Sequence, residues 1–161
     1  MSLRIGSPVQ YEPKRSNHFY LEFPDELNIE TWLIQTMDRP KIAINAVPIH
    51  YFNSQHHVAG KVTFNTLNFT LLSHVGPSTE QKLMEWIRLC YESITNRMGY
   101  AFGYKKDLVL KTTDPTGVGV EKFMLKQCQV TNVDFGSNSY ASDELIMPSV
   151  TVQPDWVVHN Y

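Results

Sequence analysis

Three histidines, His50, His56 and His57, lie close together and are by type the residues best suited to hold a metal ion. Their spacing argues against it. Adjacent residues in an extended segment point to opposite sides, and no Cys or carboxylate follows at ligand spacing. Surface or interface histidines are what this context supports. Gly117-Val118-Gly119 is too short for a dinucleotide fingerprint and sits in turn-forming sequence, whereas a phosphate cradle needs a strand leading into a helix. Turn geometry accounts for both glycines. Asn68-Phe69-Thr70 has the form of a glycosylation sequon, coincidental in a chain read as unexported. Ser73 and Ser93 lack a Gly-rich elbow, and the acidic residues form no general-acid pair. Cys90 and Cys128 read as independent buried thiols. The chemistry-bearing residues therefore point to no catalytic site, no cofactor and no metal: a protein that is not an enzyme.

The histidines belong to residues 41–72, where a polar loop at 53–59 joins two strand-like stretches and reads as a contact arm. Val62 and Phe64 alternate in one phase and Leu67, Phe69 and Leu71 in the other, so the facing must switch near Asn65 and Thr66 through a bulge or sharp bend. A bent strand of this kind fits a curved sheet or barrel wall. Upstream, Phe19, Leu21 and Phe23 share one face of a strand at 18–23, and a second strand is predicted at 30–37. One helix is predicted at 78–98 from the recurrence of Leu83, Trp86, Ile87, Cys90, Tyr91, Ile94 and Met98, with Ser78 and Gln81 as a capping box, Gly99 as the stop, and Lys82, Glu85, Arg88, Glu92 and Asn96 on the solvent face. A hairpin follows: a strand at 108–112, the turn Asp114-Pro115-Thr116-Gly117, and a long return strand at 122–135 whose phase changes between Leu125 and Cys128. A polar loop at 137–143 leads to a last strand pattern at 145–158, interrupted at Pro148 and Pro154. The count is about seven strands and one helix: mainly β, an antiparallel sandwich or barrel-like wall with one flanking helix.

With 161 residues the chain suits one domain, residues 17–161, preceded by an arm at 1–16 that lacks stable periodicity. A net charge of −2 and a charged fraction of 19% leave no basic footprint for a phosphate backbone and more surface for protein partners. Neither a secretory signal nor a membrane-length apolar run is evident, so folding in a cytoplasm without membrane insertion is the expectation.

Val47-Pro48-Ile49, Asn53, Val58-Ala59-Gly60 and Thr63-Phe64 occur in an order and spacing continued by Val130-Thr131-Asn132-Val133 with its polar loop and by Val150-Thr151-Val152 ending in Asp155-Trp156. In this the chain resembles the tail tube proteins of contractile-tailed bacteriophages over residues 17–158. The resemblance implies a β-sandwich or barrel-like subunit that forms homo-hexameric rings, stacked into a hollow tube. Its partners would be a tail sheath protein outside, baseplate and tape-measure proteins, and DNA passing through the lumen without sequence-specific binding. It would reside in a virion tail assembled in the bacterial host cytoplasm. The resemblance further implies an inter-ring contact loop at about 50–60, with Tyr51, Phe52, Asn53, Gln55, His56, His57 and Val58, and subunit-contact arms that include Tyr11, Trp156 and Val157. Open strand edges completed by neighbours in a ring are physically consistent with it. Two alternatives stand beside it: a tube or baseplate-end ring of a secretion or extracellular injection apparatus, and, more distantly, a small-ligand-binding β-barrel.

Overall fold

The computed structural model describes residues 12–161. Leu21 is fully buried in β1 (Phe19–Glu22), with Phe19 and Phe23 packed against the same core. Two 3-10 turns, Asp25–Leu27 and Thr31–Leu33, set Leu27 and Leu33 inward, so the strand predicted at 30–37 is reduced to β2 (Ile34–Met37). Next come β3 (Ile42–Tyr51), β4 (Ser54–Phe64) and β5 (Leu67–Leu71). The predicted phase switch at Asn65 and Thr66 is a break between two strands. β4 belongs to a separate hairpin with β3, whereas β5 enters the main sheet with Leu67, Phe69 and Leu71 buried.

Helix α1 (Thr79–Cys90) is shorter than predicted. Leu83 and Trp86 bury its apolar face, and the Trp86 indole N–H donates to the carbonyl of Tyr104 at 2.8 Å. Past Cys90 the run Tyr-Glu-Ser-Ile-Thr-Asn consists mostly of weak helix formers, and the chain folds back as β6 (Tyr91–Glu92) and β7 (Arg97–Met98) through Asn96 at φ 54°. Ile94 and Met98, whose spacing extended the apparent period, are 87% and 76% exposed. Gly99 does not end the helix from beyond its last turn. It returns alongside, donating its N–H to the carbonyl of Cys90 at 2.8 Å. The capping box also fails, because the Ser78 hydroxyl donates to Glu80 rather than accepting from Gln81. Lys82, expected on the solvent face, is buried.

After the short α2 (Ala101–Tyr104) come β8 (Lys106–Thr113) and β9 (Gly119–Asp134), joined at a turn where one Asp114 carboxylate oxygen accepts from the amides of Thr116 and Val118, with Gly117 at φ 89°. β10 (Ser149–Gln153) and β11 (Trp156–Asn160) complete the chain, separated at Pro154 as the proline positions predicted. All main pairings are antiparallel, in the order β1-β8-β9-β10-β5-β2, with β11 beside β9.

Strand β9 binds the wall together. Its first half pairs with β8 and β11 and its second half with β10, and the predicted phase change falls at Gln127, where φ is 55° and the amide, released from the ladder, donates to Asp107 at 2.9 Å. The two halves wrap a core of Leu21, Phe69, Leu108, Leu125, Val150 and Val152, closed on one side by Leu83 and Trp86. β1, β2 and β11 each have one partner, so each presents an open edge among the described residues.

Candidate functional site

Every residue of β3 is exposed, and in β4 only Gly60 and Phe64 are half-buried. At ~3.3 Å per residue this hairpin extends about 30 Å. Its strands form their own two-stranded sheet, tied to the body at the base where the Gln153 side-chain amide donates to the Phe64 carbonyl at 2.8 Å, and an isolated hairpin is at best marginally stable in water. The segment expected as a loop at 53–59 is largely strand. The turn narrows to Phe52 and Asn53, with Tyr51 opposite Ser54.

The register explains how both faces are apolar. Ile42 faces Phe64 and Ile44 faces Val62, but then Ala46 faces Ala59, so β4 carries one extra residue opposite Asn45. Side chains paired directly across an antiparallel ladder share a face. Near the base, Ile42, Ile44, Val62 and Phe64 therefore line one face. Beyond the bulge Val47, Ile49, Tyr51 and Val58 line the other. Gly60 permits the crossing, since a Cβ there would lie 2.8 Å from Val47 Cγ2 and 3.0 Å from the Asn45 carbonyl oxygen. The bulge thus moves the apolar stripe from one side of the hairpin to the other.

His56 lies opposite Ile49, and His57 lies opposite Pro48 on the other face, so the pair diverges. Among the described residues no group of three or more His, Cys, Asp or Glu side chains is placed to hold a metal. At the tip Phe52 is 90% exposed at φ 48°, a backbone conformation glycine adopts freely and a Cβ-bearing residue seldom does. Its ring meets that of Tyr51 edge-on at 4.8 Å.

Where the hairpin leaves the body, Glu121 gathers two cations and an imidazole. The Lys14 ammonium donates to it at 2.5 Å, the Arg39 guanidinium donates to its other oxygen, and His159 lies 3.3 Å away. Lys14 foremost, then Arg39 and His159, hold this carboxyl at about 2 against the opposing effect of burial. Arg39 also lies over the Phe123 ring, which stacks on His159 at 4.5 Å. One carboxylate on β9 therefore ties together the chain before β1, the segment entering β3 and the C-terminal strand.

Of the residues assigned to arms, Tyr11 lies outside the described residues. Trp156 and Val157 both fall within β11: Val157 packs against the core of its own subunit, and Trp156 is half-exposed beside the open edge. Cys90 and Cys128 are free, and the Cys128 thiol is pushed up to about 12 by burial and by the Asp107 carboxylate, so it packs rather than reacts.

Sequence reasoning missed the Glu121 cluster, whose members are far apart in the chain, and the stripe Ile42, Ile44 and Val62. The parity change in β3 between Ile44 and Val47 was the available signal for that stripe. A third exposed region lies in the long segment between β9 and β10: Tyr140 falls in the predicted polar loop, whereas Leu145, Ile146 and Met147, expected to open the last strand, lie outside β10, which begins at Ser149.

This architecture is shared with tube components of contractile machines. The tube-terminating cap of the anti-feeding prophage aligns with a TM-score of 0.77 at 15% identity, over 99% of this chain and 99% of that chain. The sheath/tube terminator of an extracellular contractile injection system gives 0.75 at 14% identity over 94% and 99%. A chain of that system's sheath–tube complex gives 0.74 at 15% identity over 96% and 98%. No protein-family profile and no curated protein sequence matches the chain. The likeness is one of fold, to structural tube and cap proteins rather than to enzymes.

Proposed function

We propose that this chain is a structural subunit of a contractile phage tail tube: six copies close a ring through their open strand edges, rings stack through the β3–β4 hairpin, and DNA passes the central channel when a surrounding sheath contracts. The observation that carries this reading is the hairpin, two apolar faces displayed in full on a fold shared with tube components. Exposed apolar patches of such extent mark interaction surfaces. The open edges of β1, β2 and β11 supply the lateral contacts, because cyclic pairing removes edges that would otherwise aggregate. Tyr51, Phe52, Asn53, Gln55, His56, His57 and Val58 form the inter-ring contact, and Trp156 contributes beside the β11 edge. Sheath, baseplate and tape-measure proteins are the remaining partners. The interior filled by Leu21, Phe69 and Trp86 leaves the ligand-binding barrel without support.

Negative-stain microscopy of the purified chain, alone and with baseplate material, tests the reading: rings or tubes with a central channel are expected. A protein that stays monomeric at high concentration on a baseplate template overturns it. A second reading, the tube or terminal ring of an extracellular injection apparatus, is favoured by the tube terminator and the tube-terminating cap among the structural relatives. Rings that cap preformed tubes but never elongate identify the terminal form.

A further inference from the structure

The hairpin and the long β9–β10 segment leave the main sheet at opposite poles. β5 begins at Leu67, immediately after the hairpin, where it pairs with Val152 near the end of β10. Its other end, Thr70, lies beside Ser149, which in turn faces Asp134 at the close of β9. Residues 135–148 therefore rise from the pole away from the hairpin. They contain no strand or helix, and they line an open cleft of about 920 Å³ whose walls include Tyr140, Leu145, Ile146 and Met147. Loops of such length in a compact domain are usually functional.

The two poles are complementary in charge as well as in apolar character. Residues 41–66 contain Lys41, Lys61 and three histidines and no carboxylate, whereas residues 134–148 contain Asp134, Asp143 and Glu144 and no Lys, Arg or His. Across the exposed tip, Phe52 and Tyr51 offer rings that bury about 150–250 Å² each when covered. Beside them the His56 and His57 imidazoles offer N–H donors to carboxylates. A surface on one pole that fits a different surface on the other is a heterologous, head-to-tail contact, the kind that propagates along an axis.

We infer that the cleft formed by residues 135–148 is the receptor for the hairpin tip of a second copy of this chain, with Phe52 and Tyr51 seated against Leu145, Ile146 and Met147 and with His56 and His57, one on each face of the inserted hairpin, set toward Asp143 and Glu144. This rests on the ring-stacking reading and adds to it the surface that receives the hairpin. The opposed poles give the stack its polarity.

The test places the photoreactive aromatic p-benzoylphenylalanine at Phe52 and irradiates assembled tubes. Intermolecular adducts are expected, with the attachment mapping by mass spectrometry to residues 135–148. Tubes that form normally while the adducts map elsewhere, or do not form, overturn the receptor and leave the tube reading intact. A chain that forms neither rings nor tubes overturns both. A charge exchange provides the second arm: His56→Glu with His57→Glu should abolish stacking while single rings persist, and adding Asp143→Lys with Glu144→Lys should restore tubes. Failure of the combined variant to stack, with its rings intact, also counts against the receptor.

Discussion

At Glu121 a nearly buried carboxylate meets the Lys14 and Arg39 cations and the His159 ring, so its protonation is coupled to folding. Its folded value, about 2, lies below the ordinary 4.5. The cluster therefore stabilises the fold fully above pH ~4.5, and that stability drains away as pH falls toward ~2. Lys14 and Arg39 are at least half exposed, so solvent screening reduces the contribution to about 1–2 kcal/mol. Glu121→Gln should lower the unfolding free energy read from urea titration by that amount near neutrality, and the gap from the unsubstituted chain should close under strong acid. Parallel pH profiles for the two proteins would show that the cluster does not support the fold. Phe52 makes the opposite case. Holding a side chain in the left-handed region costs about 1–2 kcal/mol, and strain kept at an exposed aromatic points to a contact. Phe52→Gly should leave the isolated subunit as stable or slightly more so, while shortening or abolishing tubes in micrographs. If stability falls and tube length is unchanged, the ring is serving its own hairpin turn instead.

Among the elements, the hairpin is separable from the body because its strands pair only with each other. Replacing residues 43–63 with a short turn should leave the circular dichroism of the sheet intact and shift Tm by only a few degrees, while stacking is lost. A variant that unfolds outright would mean that the hairpin is part of the core. The small β6–β7 return behaves differently. A Cβ on Gly99 would lie 1.9 Å from the Leu89 carbonyl oxygen, a backbone atom that cannot swing aside. Gly99→Ala should cost about 1–3 kcal/mol, read as a fall in Tm of about 2–4 °C per kcal/mol. These two elements also mark how far the sequence could be read. The sheet strands were legible because Leu21, Phe69 and Val150 alternate toward one core, and the bend at Gln127 was legible because that alternation skips. The hairpin strand within 53–59 was not, since both of its faces are exposed and its polar stretch carried no single-phase pattern. The helix was overextended because Ile94 and Met98 kept a helical spacing in a segment that reverses, where weak propensity and the bond from Gly99 to Cys90 prevail. Trp156 and Val157 were placed in an arm because pairing on the far side of Pro154 depends on β9, which is remote in sequence.

For the whole molecule, exposed area is the informative quantity. The chain presents 11826 Å², whereas a compact monomer of its mass, 18.6 kDa, presents about 8,200 Å² by the usual scaling. The excess of roughly 3,600 Å² fits a chain whose β3–β4 hairpin is exposed along nearly its whole length. On the proposed ring reading the subunit gains stability from its neighbours by mass action, so its apparent Tm should depend on concentration. Closing a ring of six converts each tenfold rise in protomer concentration into about 1 kcal/mol per subunit, or about 2–5 °C of Tm for a chain of this size. Scanning calorimetry over a hundredfold concentration range, with sedimentation velocity on the same samples, should show Tm climbing as the six-subunit species replaces the monomer. Trp156→Glu, beside the β11 edge, should flatten that slope while leaving the dilute-limit Tm nearly unchanged. A Tm independent of concentration, together with a single monomeric boundary throughout, would require the open edges to be satisfied within one chain, and the tube assignment would then fall.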